Sequence, residues 1–131
     1  MSRQNVKVVE RVMEAHARRD WPAVLAHYQP DIEWDQSRNP LSFDVEPVSR
    51  GPAAVRDWFR ASSEGFEVVE YEEEELIDAG DQVVQFFRMR ARGRASGIEI
   101  EGPLAQVWTV SQGRVARVCL LYTSPSPRDR S

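Results

Sequence analysis

The stretch DQVVQFFRMRARGRASGIEIEGPLAQVWTVSQGRVARV, residues 81–118, decides the fold. Its β-branched, aromatic and apolar residues fall into three runs, separated by turn signals at Ala95-Ser96-Gly97 and Ser111-Gln112-Gly113. Three long antiparallel strands follow from that pattern. The run 82–91 is apolar on both faces, with Val83, Phe87 and Met89 against Val84 and Phe86. An antiparallel strand with one solvated face alternates more cleanly. The outer face is therefore expected to be covered, most simply by a second copy of the chain, with Trp108 contributing.

Upstream, residues 66–77 read as the first long strand of the sheet, turned into the central stretch by 78–81. Residues 5–19 form a helix, because Val6, Val9, Val12, Met13 and His16 recur at helical spacing while Lys7, Glu10, Arg11, Glu14 and Arg18 take the other face. Asp20 caps a short second helix over 21–28, whose first turn tolerates Pro22 and which ends before Pro30. A strand over 31–36 puts Ile32, Trp34 and Gln36 on one face and Glu33 and Asp35 on the other. Residues 37–50 read as a loop, and Gly51-Pro52 opens a third helix over 53–62 that buries Val55, Trp58 and Phe59. This order is an α+β pattern: a curved, mostly antiparallel sheet of four to five strands with three N-terminal helices on one face.

With 131 residues the chain is one domain with one core. Its net charge of -4 is the wrong sign for a nucleic-acid footprint, so no nucleic-acid partner is expected. No apolar run approaches the roughly 20 residues of a membrane span, and residues 1–7 lack a secretory apolar segment. No membrane partner is expected, and a cytoplasmic location is. The lone Cys119 excludes an internal disulfide and a cysteine-based metal site. No motif calls for a metal or cofactor.

The segments ARRDWPAVLAHYQPDIEWDQSRNP, SRGPAAVRDWF and LIDAGDQVVQFFRMRARGRASGIEIEGPLAQVWTVSQGRVARV, in this order, resemble the SnoaL-like branch of the nuclear transport factor 2-like (NTF2-like) superfamily. The resemblance covers about residues 6–118 and implies a cone of sheet and helices around a deep apolar cavity, usually in a homodimer. It does not imply one reaction, since the superfamily includes isomerases, cyclases, epoxide hydrolases and binding modules. Residues 119–129, CLLYTSPSPRD, resemble instead the in-frame translation of a sequencing adapter. A genuine divergent tail is the alternative. The domain is therefore expected to span 1–122, with 123–131 a disordered, non-native tail.

Family members place proton-transfer groups in the cavity. The positions that a ketosteroid isomerase would use fall at Gln36, Val12 and Ala105, and none carries the needed group. The acid/base position of cyclase members falls at about Leu120. Two candidates remain for cofactor-free acid/base chemistry: Asp35 and His16. Asp35, with Glu33 on the same face, has a bland alternative as a solvated edge or a partner of Arg38; His16 has one as a satisfied core residue. Tyr28, Trp34, Trp58, Phe87, Met89 and Val107 are expected to line an apolar pocket for a small apolar molecule, anchored by Gln85 or Gln36. Alternatively they fill the core and leave no space.

Arg88, Arg90, Arg92 and Arg94 share one strand face. A two-residue turn at 95–96 sets Arg92 opposite Glu99 and Arg90 opposite Glu101. On the other side, Glu70 and Glu72 oppose Arg90 and Arg88 if the 78–81 loop leaves three residues unpaired. Leaving four would move both glutamates to the other face. The stripe is thus a ladder of cross-strand charge pairs. The acidic run 72–75 is a charged edge that resists edge-to-edge pairing.

Overall fold

The structure is a computed structural model that describes residues 3–38 and 47–121. Three helices come first or nearly so: α1 (Arg3–Ala17), α2 (Trp21–Ala26) and α3 (Pro52–Gly65). The strands are β1 (Tyr28–Asp35), β2 (Val48–Arg50), β3 (Phe66–Ala79), β4 (Gln82–Gly93), β5 (Glu99–Ser111) and β6 (Arg114–Leu121). They form one six-stranded sheet in the order β2-β1-β6-β5-β4-β3. All neighbours run antiparallel except β1 and β6, which are parallel. The α+β architecture with helices on one face is the expected one, with one strand more than anticipated. That strand is β2, three residues inside the expected loop and too short to show alternation. Residues 39–46 of that loop, and the expected tail 123–131, lie outside the described residues.

Local chemistry sets the boundaries. Asp20 caps α2 by accepting from the Ala23 amide at 3.2 Å. The helix ends two residues earlier than the Pro30 signal suggested, because His27 is the C-cap, its amide donating to Val24 O at 3.1 Å, and Tyr28 already pairs with Val115 of β6. Pro30 has no amide hydrogen to offer the ladder, and the β1–β6 pairing is interrupted between Tyr28 and Glu33. Gly51 enters α3 at φ 88°, ψ 153°, a region closed to side-chain-bearing residues, and its amide donates to Ile32 O at 2.8 Å. The Arg-Gly-Pro motif thereby ties α3 to β1.

The charge ladder has the expected register: Arg92 stands opposite Glu99, Arg90 opposite Glu101 and Glu70, and Arg88 opposite Glu72. It is reached by another route on the β3 side. The hairpin turn is tight, since Ala79 pairs with Gln82; of two irregularities in β3, the one nearer the turn absorbs the difference and the other shifts the register again beyond Glu70. They lie between Val68 and Glu70 and between Glu73 and Glu75. β3 is an edge strand, and its acidic residues and bulges both discourage pairing with another chain.

The larger core cluster packs α1, α2 and α3 against the inner face through residues such as Val9, Val12, Val24, Ile32, Trp58 and Val118. A smaller one joins Phe87, Leu104 and Leu120, with Met89 against it. Trp108, expected on the outer face, is 1% exposed and belongs to the inner core. The reason is register, since Trp108 stands opposite Val83, an inward residue of β4.

Candidate functional site

The two core clusters do not meet along their whole boundary. Between them lies a cavity of about 570 Å³. Met13 and His16 of α1, Trp58 and Phe59 of α3, and Trp34 of β1 form one side. Phe87, Met89, Leu104 and Leu120 form the other. Its exposed lining residues, Ala17, Arg19, Ser63, Val68 and Tyr71, mark a mouth between the ends of α1 and α3 and the edge strand β3.

The aromatic side is a connected stack. The Phe59 ring lies 5.0 Å from Trp34, 5.1 Å from Trp58, 5.3 Å from Trp21 and 4.6 Å from the His16 imidazole. Held this way, His16 is kept neutral: burial pushes its pKa from 6.5 down to about 4. The Trp34 and Trp58 indole nitrogens and the Ser62 hydroxyl are buried with no hydrogen-bond partner among the described residues.

The polar element of the site is a chain of three buried glutamines. Gln36 Nε2 donates to Gln106 Oε1 at 3.1 Å, and Gln106 Nε2 donates to Gln85 Oε1 at 3.0 Å. The Trp108 indole donates to the same Gln85 oxygen at 3.0 Å. Gln85 Nε2 then donates to the Tyr71 hydroxyl at 2.7 Å. Gln36, Gln85 and Gln106 are 1%, 0% and 8% exposed, so these bonds answer an otherwise heavy desolvation cost. Gln36, Gln106, Trp108 and Tyr71 line the cavity, while Gln85 sits one layer behind them.

Of the residues singled out from sequence, Trp34, Gln36, Trp58, Phe87, Met89 and His16 line this space. Four stand elsewhere. Tyr28 is buried in the core beneath the helices, its hydroxyl unpartnered, and burial raises its pKa. Val107 faces outward, since its neighbours Gln106 and Trp108 face in. Gln85 supports the wall without lining it. Asp35 lies on the opposite face of β1 from Trp34 and Gln36. There it accepts from the Ser37 hydroxyl at 2.8 Å and amide at 3.1 Å, and pairs with Arg117 at 3.5 Å. Glu33 bridges the same Arg117 and Arg50. Burial pushes the Asp35 carboxyl up, but the Ser37 hydrogen bonds and the Arg117 and Arg38 charges outweigh it and hold the pKa below the ordinary value. Asp35 and His16 therefore share no site.

Sequence reasoning passed over Tyr71 and Gln106. Among the described residues, no carboxylate lines the cavity, and no group of three or more His, Cys, Asp or Glu is placed to hold a metal ion. No helix among them is long and apolar enough to cross a membrane.

A sheet wrapped over three helices, with an aromatic cavity between and amides at its wall, defines an α+β domain of the NTF2-like class. The chain belongs to the SnoaL-like domain family, whose model matches residues 9–118. Solved structures share the fold. An NTF2-like protein from Burkholderia xenovorans LB400 superposes with a TM-score of 0.80 at 24% identity, covering 92% of this chain and 90% of that one. Another, from Burkholderia thailandensis E264, gives 0.76 at 28% identity, covering 88% and 87%. TerC, co-crystallised with polyporic acid, gives 0.73 at 19% identity, covering 92% of each chain. No curated protein matches the chain in sequence.

Proposed function

We propose that this domain binds a small, mostly apolar molecule in the cavity between its two core clusters. The observation that carries the reading is a space of about 570 Å³ walled by Trp34, Trp58, Phe59, Phe87 and Leu104 with a few fixed amides. A cavity of that size and lining suits a small organic ligand, whose apolar body is desolvated while a few polar atoms fix its orientation. TerC, which shares this fold, was co-crystallised with a small organic molecule, polyporic acid. Titration with polyporic acid and a panel of polycyclic aromatic compounds tests it. Saturable quenching of tryptophan fluorescence is expected, and a bulky Leu104→Trp filler is expected to abolish it. Absence of saturable binding by any member would remove the reading.

A second reading, cofactor-free isomerisation, cyclisation or epoxide opening, draws on His16. A neutral imidazole lining an apolar space offers an unprotonated ring nitrogen at neutral pH, as a weak base, because the burial that lowers its pKa to about 4 also disfavours the imidazolium. It assigns no role in the cavity to Asp35, which sits on the other side of β1. Turnover that survives His16→Phe would exclude it.

The same domain is proposed to be a homodimer through the outer sheet face. There Phe86 aligns with Ala105 and Leu121, and Val84 aligns with Val107 and Cys119. This apolar block is flanked by charges of both signs, with Arg88, Arg90 and Glu101 on one side and Glu33, Asp35 and Arg117 on the other. Such a surface complements its own copy. Light scattering is expected to give a dimer for the parent chain and a monomer for Phe86→Glu. A monomeric parent at micromolar concentration would refute it.

A further inference from the structure

The glutamine chain has a direction that chemistry imposes. An indole N–H only donates, so the oxygen that Trp108 contacts at 3.0 Å has to be the amide oxygen of Gln85. With that oxygen fixed, the Gln85 nitrogen faces the Tyr71 hydroxyl at 2.7 Å and has to donate to it. The Tyr71 oxygen is thus occupied as an acceptor, and its own proton is directed away from Gln85. The Tyr71 ring lines the cavity and stacks on the Phe87 ring, 5.4 Å away with planes inclined by 28°. At 42% exposed, it stands at the mouth rather than inside.

We propose that Tyr71 is the donor that selects the ligand: it gives its hydroxyl proton to an acceptor oxygen, a ketone or quinone carbonyl, on a flat unsaturated molecule lying against Phe87. This rests on the reading of the cavity as a binding site. Three residues on two strands fix the polarity of that one hydroxyl, namely Trp108 and Gln106 on β5 and Gln85 on β4. The Glu73 carboxylate, facing the cavity side of β3 opposite Phe87, is the nearby group of opposite character. Burial and the Glu73 charge both raise the Tyr71 pKa, so the phenol keeps its proton throughout the physiological range. A molecule of the same shape that lacks the oxygen, or presents a hydroxyl proton there, forgoes this bond.

The test uses a matched pair of probes, 9-fluorenone and fluorene, which differ by the carbonyl oxygen. Both are titrated into the parent chain and into Tyr71→Phe by tryptophan fluorescence. The parent is expected to prefer fluorenone by roughly tenfold, the usual worth of one well-made hydrogen bond. Tyr71→Phe is expected to bring the ratio to near one by weakening fluorenone alone. Unchanged fluorene affinity in the variant reports an intact cavity. A preference that survives Tyr71→Phe, or equal affinity of the parent for both probes, overturns the assignment of Tyr71 while leaving the cavity reading standing. If neither probe binds the parent while another member of the panel does, the assignment of Tyr71 is overturned and the cavity reading stands; if no member of the panel binds either, both fail.

Discussion

The two faces of the sheet use polar residues in opposite ways. On the inner face, Gln36, Gln85 and Gln106 are almost sealed from water and hold uncharged, directional bonds. On the outer face, Glu33, Asp35 and Arg117, like Arg90, Arg92 and Glu99, are ionised, partly solvated and redundantly paired. A buried amide that loses its partner pays its desolvation in full, whereas a solvated ion pair returns most of its loss to water. Specificity of structure therefore resides inside, and the outer charges chiefly set register.

The most severe break in this contrast is Gln85→Leu. It removes the acceptor from Trp108 and Gln106 and the donor from Tyr71 at once. A loss of about 2–4 kcal/mol is expected in urea unfolding, from two or more buried groups left unsatisfied. A loss below about 1 kcal/mol would place water in the wall and end the distinction between the faces.

His16 sharpens it next. Its pKa is depressed from 6.5 to about 4 in the folded state, so the unfolded chain binds the proton first. Stability is then full above pH 6.5 and falls as the pH drops toward 4, with no further loss below. Between pH 7.5 and 4.5 the parent is expected to lose about 2–3 kcal/mol from this residue, and His16→Phe to be spared that loss. Equal losses in the two chains would contradict the burial of the ring.

The smallest effect belongs to the outer face. Asp35→Asn is expected to change stability by less than about 1 kcal/mol at neutral pH. The depressed Asp35 carboxyl contributes in full above its ordinary pKa, and that contribution is lost as pH falls from there through the folded value. Probe binding in the cavity is expected to be unchanged. A marked drop in probe affinity would show that the faces are coupled across β1.

Much of the fold was legible because the decisive signals were local or paired. The Asp20 cap, the Gly51-Pro52 entry to α3 and the Arg90–Glu101 register each follow from a few residues. The inward direction of Trp108 was legible too, since the register that sets Arg92 against Glu99 sets Trp108 against Val83. Treating Trp108 as an outer residue ignored that link. The site was less readable. Asp35 and Trp34 are adjacent, and only the position of the helices says which face encloses the cavity. Tyr71 was within reach as well, since the register that sets Glu70 against Arg90 sets Tyr71 against Met89; the second possible register for β3 left its face open. Gln106 reads as an ordinary strand residue until Gln36 and Gln85 are seen on either side of it.

The irregularity between Glu73 and Glu75 also governs which chemistry the enclosed space can have. If β3 continued from its tight turn without looping out a residue, Glu70, Glu72 and Glu74 would point toward the helices and Tyr71 toward solvent. The strand would then turn three carboxylates toward a greasy chamber instead of one phenol and the single carboxylate of Glu73. A single skipped partner in the ladder thus acts as a sorting device, and the length of this edge matters to the guest as much as its composition.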